Sequence, residues 1–290
     1  MTGLVAAAVT VSVAAGGVAS AAPYPGPNGT RDVHGYIEQA YVNRYGGTSG
    51  ALGGPLTNEI ATPTRPGAFN AFANGSIYWS PGTGAWKVDG AIAGGWGTVG
   101  WEAGPLGFPI ADEHQLPGGW WQPFEFGKMM YSPSTGSQAV HGQFFNLYAA
   151  DGNEHGWLGY PTSNEAPLVR GGVLQDYQHG IMYISPDSRG AHTVAGAILG
   201  VWGSIGYERG TYGYPRTDEL RNSNGDYYQN FVGGTIVWYS SGGSLLLQDS
   251  VDCTDPYYDQ ADFQNFYATW GDRFGDVYDL DSNHDGIACN

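Results

Sequence analysis

A tetrapeptide that returns at a near-constant interval is the strongest constraint on how this chain folds. Leu52-Gly53-Gly54-Pro55, Leu106-Gly107-Phe108-Pro109, Leu158-Gly159-Tyr160-Pro161 and Tyr212-Gly213-Tyr214-Pro215 follow one another every 52 to 54 residues. Each is followed by a short polar stretch and then by Glu59, Glu113, Glu165 or Glu219. Self-similarity of this length marks a tandem array, in which each copy of one supersecondary unit buries its apolar face against the next. Residues 31–240 are therefore read as four repeats.

Within each repeat the hydrophobic pattern changes period. Val33/Ile37/Tyr41, Val88/Ile92/Trp96, Val140/Phe144/Tyr148 and Val194/Ile198/Trp202 recur at i, i+4, i+8 before each marker, one stripe of a short helix. Gly46, Gly100, Gly152 and Gly206 stand where a helix C-cap glycine is expected. Gly35, Gly90, Gly142 and Gly196 fit the first turn of a helix better than its interior. After each marker, an aromatic or β-branched run, a Ser/Pro/Gly turn and a second short run spell a hairpin, as in "NGSIYWSPGTGAWKV". The expected fold class is α+β: four β-hairpin-plus-helix units in a curved or partly closed, pseudo-symmetric ring. An all-β propeller is the alternative.

Composition narrows the function classes. A 290-residue chain with 41% apolar and 14% aromatic residues can build a core, and its 48 glycines imply many turns. Only 13% of residues are charged and the net charge is −16, which argues against nucleic acid and anionic membrane as partners. Half of that excess lies in residues 252–290, where nine aspartates face only Arg273.

Residues 1–21 read as an export signal, with an apolar run from Leu4 to Val18 and small residues at Ala19-Ser20-Ala21. No other stretch is apolar and long enough to span a membrane. In an exported chain the two cysteines, Cys253 and Cys289, read as a disulfide that brackets the acidic tail. Residues 241–251 are read as a linker between repeats and tail.

The spaced "LGFP"-type marker, its acidic residue and the run "GxIYxSPxTGAxxVxGxI" resemble the LGFP repeats of exported actinobacterial proteins. That resemblance implies a secreted protein associated with the cell wall, a non-catalytic module that binds wall polysaccharide (arabinogalactan or peptidoglycan) or other envelope components. A structural or protein-interaction scaffold is the alternative, and a wall-glycan hydrolase is a second one, since such repeats often flank hydrolases. Gly54 replaces the marker aromatic in copy one, and copy four has Tyr212 for leucine and lacks the Pro-x-Thr-Gly turn, so the end copies are expected to act as caps.

No catalytic constellation appears. Glu59, Glu113, Glu165 and Glu219 could pair as glycosidase carboxylates, yet equivalent surroundings would not separate their pKa values as acid and base require. They are expected to accept backbone hydrogen bonds around their own turns, with ligand binding the second reading. There is no Gly-x-Ser-x-Gly elbow and no His-Glu-x-x-His. His34 and His141 share one repeat position and are read as packed or capping residues. Aromatic side chains offer flat apolar faces for sugar rings. The candidates are Tyr78, Trp79, Tyr131, Tyr183 and Trp238 on strands, and Trp120 and Trp121 in what reads as an exposed glycine-rich loop.

In the tail, Asp281-x-Asn283-x-Asp285-Gly286 matches positions 1, 3, 5 and 6 of an EF-hand loop, with the carbonyl of Ile287 at position 7. Residues 252–290 resemble the Excalibur calcium-binding domains, which open on Cys-Thr/Ser-Asp, continue with a "Q-A-x-x-Q" helix and close on an acidic Asp-Gly-x-x-Cys loop. The resemblance implies a disulfide-closed module binding Ca2+; Asp276, Asp279 and the C-terminal carboxylate on Asn290 are candidates for the remaining ligand oxygens. Asn283 and Asn290 stand where the family pattern has carboxylates, which weakens the expected affinity.

Overall fold

The computed structural model describes residues 22–188, 190–222, 225–248 and residue 264. The export-signal, disulfide and calcium-loop expectations lie outside these residues; Gln264, alone in the tail, is helical.

The described residues open with a hairpin of β1 (Ala22–Gly26) and β2 (Gly29–Val33), and a nine-residue helix α1 (Gly35–Asn43) follows. Strands β3 (Ile60–Ala61), β4 (Ala68–Phe72), β5 (Gly75–Ser80) and β6 (Gly84–Val88) then form an antiparallel meander, and α2 (Gly90–Thr98) leaves it. The sequence β7 (His114–Leu116), β8 (Gly119–Phe124), β9 (Gly127–Ser132), β10 (Gly136–His141) and α3 (Gly142–Ala150) repeats this arrangement. So does β11 (Ala166–Pro167), β12 (Val173–Asp176), β13 (Gly180–Ile184), β14 (Ala191–Ala195) and α4 (Gly196–Ser204). The last sheet is β15 (Leu220–Arg221), β16 (Tyr227–Phe231), β17 (Gly234–Trp238) and β18 (Ser244–Gln248).

The fold is thus α+β with four copies, and the helices set aside the all-β alternative. Three expectations are corrected. Each repeat carries a four-stranded sheet rather than a two-stranded hairpin, because the first strand is only two or three residues long and the second places a buried Asn or Gln where its apolar alternation would continue. Strand pairing closes no ring among the described residues, since the four meanders remain separate sheets. Ser244–Gln248, placed in a linker from the sequence, is the edge strand β18 and pairs with β17.

Among the described residues, those up to Gly90, with Phe108–Ile110, form one compact unit, and Ala91–Gly107 with residues 111–248 form the other. In the first, Val33, Ile37, Tyr41 and Leu52 close over Phe72, Ile77 and Ala85. In the second, Val140, Phe144, Tyr148 and Leu158 pack with Tyr177 and Met182, and Val194, Ile198, Trp202 and Tyr212 pack with Phe231 and Ile236. The packing unit is therefore helix, marker and the sheet that follows. The stripe valines Val88, Val140 and Val194 sit in the strands that lead into the helices, one step before the helical period begins.

Helix entry explains the recurring glycine. Gly35, Gly90, Gly142 and Gly196 have φ of +59°, +55°, +57° and +52°, and an added Cβ would meet nothing within 4 Å. Backbone handedness, not space, selects glycine where an extended strand swings into a helix. The four expected C-cap glycines are also left-handed.

Candidate functional site

The markers are joints between neighbouring copies. Tyr160 donates its hydroxyl to the Pro117 carbonyl at 3.2 Å, and Tyr214 donates to the Val169 carbonyl at 2.5 Å. In both cases the third marker residue reaches back into the turn between the first two strands of the preceding sheet. That turn must be bare: a Cβ on Gly119 would lie 2.7 Å from the Tyr160 hydroxyl, and one on Gly172 would strike the Tyr214 ring. In the first unit Phe108 occupies the same place beside Gly67, with the Arg65 guanidinium 5.1 Å from its ring centre. Among the described residues no four-stranded sheet precedes copy one. The β1–β2 hairpin stands there instead, and a Cβ on Gly54 would come within 2.5 Å of the Pro25 carbonyl oxygen. The missing aromatic of copy one is thus the mark of a cap.

A second joint was not foreseen. Asn70, Gln122, Gln175 and Gln229 are completely or almost completely buried at one position of the second strand of each sheet. Gln175 Nε2 donates to the carbonyls of Ala139 at 2.7 Å and Ser163 at 2.9 Å; Gln229 Nε2 donates to those of Thr193 and Thr217, both at 2.7 Å. Asn70 Nδ2 makes the same pair of bonds to Asp32 and Thr57 at 3.2 and 3.0 Å. These three amides tie the strand entering the helix to the loop after the marker, and Gln122 Nε2 donates to the Ala111 carbonyl of its own loop at 2.9 Å. The signal was present as a fourfold Asn/Gln-x-Phe/Tyr spacing, hidden because a polar residue in a strand reads as solvent-facing.

In copies one, three and four the residue before the marker glutamate accepts a backbone amide of the strand that enters the helix. Asn58 Oδ1 accepts the amide of Asp32 at 3.0 Å, Asn164 Oδ1 that of Ala139 at 2.7 Å, and Asp218 Oδ1 that of Thr193 at 2.7 Å. Glu59 instead lies 3.4 Å from His34 Nδ1, and Glu165 lies 3.1 Å from His141 Nδ1. His34 and His141 occupy helix N-cap positions without making a side-chain cap. Burial pushes Glu165 up to about 7 and lowers His141, so both favour their neutral forms. Glu59 is raised by burial, with the His34 charge opposing. Glu113 is half-buried. Equivalent sequence positions therefore differ in environment, contrary to the expected likeness.

Most of the expected stacking aromatics are committed to packing. Trp120 and Trp121 are in strand β8, not a loop, and both are half-buried. Trp120 lies across from Tyr131 with ring centres 5.8 Å apart, and Trp121 stacks on His114 at 4.9 Å. Tyr78 is buried against Phe69, and Tyr183 is buried edge-on to Trp202. Trp79 and Trp238 are half-buried, Trp79 in a parallel stack with Tyr36 at 5.5 Å. The aromatics that do face solvent were not singled out from the sequence: Tyr36, Trp101, Phe126, Trp157, Tyr207 and Tyr227. Trp101 and Tyr207 sit at φ +55° and +52°, a strained conformation for bulky residues. Each is held edge-on against the buried tryptophan of its own helix, Trp96 or Trp202.

One cleft in the second unit gathers acidic and aromatic groups. It holds about 450 Å³ between the end of α3 (Leu147, Ala150, Asp151), Trp157 and Leu158, the end of β14 (Thr193, Ala195), and Asp218 and Glu219. Partial burial raises Glu219 above the usual carboxylate range. Among the described residues no group of three His, Cys, Asp or Glu gathers closely enough to hold a metal ion. No helix of the described residues is long and apolar enough to cross a membrane.

Comparison with solved structures finds weak likenesses: a virginiamycin B lyase from Staphylococcus aureus (9% identity, 70% of this chain and 56% of that one, TM-score 0.14) and a hemopexin fold protein from cow pea (12% identity, 65% and 89%, TM-score 0.16). At such scores they carry no argument, and this chain spans just over half of the lyase. A search of curated proteins returns no match. The LGFP repeat description, by contrast, matches residues 52–104, 106–156, 158–210 and 213–248, well over half of the sequence and the same four copies that the sheets and markers define. The chain belongs to the LGFP-repeat family.

Proposed function

We propose that this protein is a secreted, non-catalytic module that associates with the cell envelope by binding wall polysaccharide. The observation that carries the reading is the four-copy LGFP match, because this family is consistent with cell-wall-associated repeat modules. The architecture supports it: solvent-facing aromatics stand at one repeated loop position in two of the copies, Trp101 and Tyr207. The recorded partner of Glu59 is His34 and that of Glu165 is His141, single histidine–glutamate contacts that favour binding over cleavage.

Retention of the purified chain on isolated wall, before and after removal of protein, tests the proposal. Binding to protein-free glycan supports it. Binding only to envelope protein selects the scaffold reading, and release of soluble sugar selects the hydrolase.

The tail belongs to the same proposal. Its donor set, Asp281, Asn283, Asp285 and the Ile287 carbonyl with Asp276 and Asp279 nearby in sequence, is composed of oxygen and suits Ca2+. The ion would neutralise carboxylates of this acidic segment that otherwise repel one another.

A further inference from the structure

We infer that the cleft between the end of α3 and the end of β14 binds a glycan residue that offers hydroxyl or ammonium donors and carries no acidic group. The inference rests on the envelope reading above and supplies its ligand class and location.

The chain contains its own comparison. Asn164 and Asp218 accept the equivalent strand amide at the same 2.7 Å, so the junction of copies two and three can be laid on that of copies three and four. At the first junction stand Val99, Pro105, His141, Asn164 and Glu165; at the second stand Asp151, Trp157, Ala195, Asp218 and Glu219. His141 reaches Glu165 at 3.1 Å, whereas Ala195 has no side chain that can reach Glu219. Loss of the imidazole leaves both the space and a carboxylate without a hydrogen-bond or ion-pair partner among the described residues. The same junction has gained a tryptophan on the rim and two further acids.

Trp157 is 48% exposed, and its ring is braced from beneath: a Cβ on Gly180 would lie 3.0 Å from it. Leu147, Ala150 and Leu158 supply apolar walls. This combination of a held aromatic face and apolar walls suits the face of a sugar ring. The volume falls within the range of small-ligand sites, about 300–1,000 Å³.

Ligand polarity follows from the lining. Asp151, Asp218 and Glu219 are acceptors, and the Thr193 hydroxyl is already spent on Asp218 at 2.9 Å. A bound residue must therefore donate. No lining residue is basic, and His192, 3.9 Å from Asp218, is held below its usual pKa by burial. A uronate or phosphorylated sugar would bring like charge to three carboxylates, a repulsion that excludes it.

The test titrates the purified full chain with a neutral galactan oligosaccharide, a glucosamine oligomer and oligogalacturonate, following tryptophan fluorescence. Saturable binding of either of the first two, without binding of the third, is expected. Salt-insensitive binding of the neutral oligomer identifies hydroxyl donors, and salt-sensitive binding of the glucosamine oligomer identifies ammonium. Trp157→Ala and Ala195→His should each weaken binding about tenfold, the scale of one lost stack or one filled subsite, with the melting temperature held. Trp157 lies at the surface, so its variant reports even where Ala195→His fails to fold. Equal binding of oligogalacturonate, no binding of any oligomer, or wild-type affinity in Trp157→Ala overturns the assignment. Wall retention that persists in Trp157→Ala removes the cleft and leaves the envelope reading standing; oligosaccharide binding in the cleft without wall retention does the reverse.

Discussion

Tyr214 donates its phenol proton to the Val169 carbonyl at 2.5 Å, across 45 residues of chain. The bond joins the marker of one copy to the turn of the copy before it. Tyr214→Phe should cost about 1 kcal/mol of stability, the net worth of one hydrogen bond. Gly172→Ala, which puts a methyl group into the ring of Tyr214, should cost about 1–3 kcal/mol. Urea denaturation of the two variants checks the order, and equal midpoints would remove the joint from the account.

The buried amides should be the most demanding polar positions. Gln175→Leu leaves the carbonyls of Ala139 and Ser163 without their donor and should destabilise by about 2–4 kcal/mol. Gln175→Glu should be at least as costly at neutral pH, because a carboxylate only accepts and adds a buried charge. Thermal melts of both variants test this; a glutamate variant more stable than the leucine variant contradicts the assigned donor role.

Glu165 gives the fold a pH dependence of definite sign. Its folded pKa of about 7 lies above the 4.5 of an unperturbed glutamate, so its contribution is full below about 4.5 and is lost as pH rises through about 7. The loss is at most about 3 kcal/mol. His141, lowered by burial, acts oppositely and stabilises more as pH rises toward 6.5. Glu165→Gln should abolish the decline between pH 4.5 and 7 and leave the histidine rise visible. Denaturation midpoints across that range, in both proteins, measure the difference.

Lys128 is buried among Trp121, Phe145 and Tyr148, and its amine, bonded to Asn153 Oδ1, is pushed down to about 8 by desolvation. The unfolded chain holds this proton more tightly, so stability should climb as pH rises from about 8 to about 10.5. Lys128→Met should flatten that climb and be neutral or stabilising at pH 7, as replacement of a buried charge by an apolar isostere often is. A variant that unfolds at pH 7 would show the ammonium to be essential.

Calcium binding by the tail should raise the melting temperature of the last segment between chelator and millimolar calcium, with Asp285→Ala abolishing the shift. An unchanged melt with oxidised cysteines would end the proposal.

What could be read in the sequence depended on which interactions leave a periodic trace. Tyr41, Trp96, Tyr148 and Trp202 were legible as core because helical spacing aligns them with Val33, Val88, Val140 and Val194, and all are buried. The strands β3, β7, β11 and β15, two or three residues long, carry too few side chains to alternate. Trp120 and Trp121 were misplaced for a related reason: glycines mark a turn, and only tertiary pairing with His114 and Tyr131 shows that it lies before them. Trp157 left no signal, since it matters only where Ala195 replaces the histidine.

The backward reach of Phe108, Tyr160 and Tyr214 decides where such an array can be cut. An excision made just before a marker would strip the preceding sheet of the ring that seals its first turn, and would leave that ring exposed on the fragment. The heritable cassette of this architecture therefore ends after the marker proline: a chain lengthened by one copy, or shortened to two, should be spliced there, with the β1–β2 hairpin kept as its leading end.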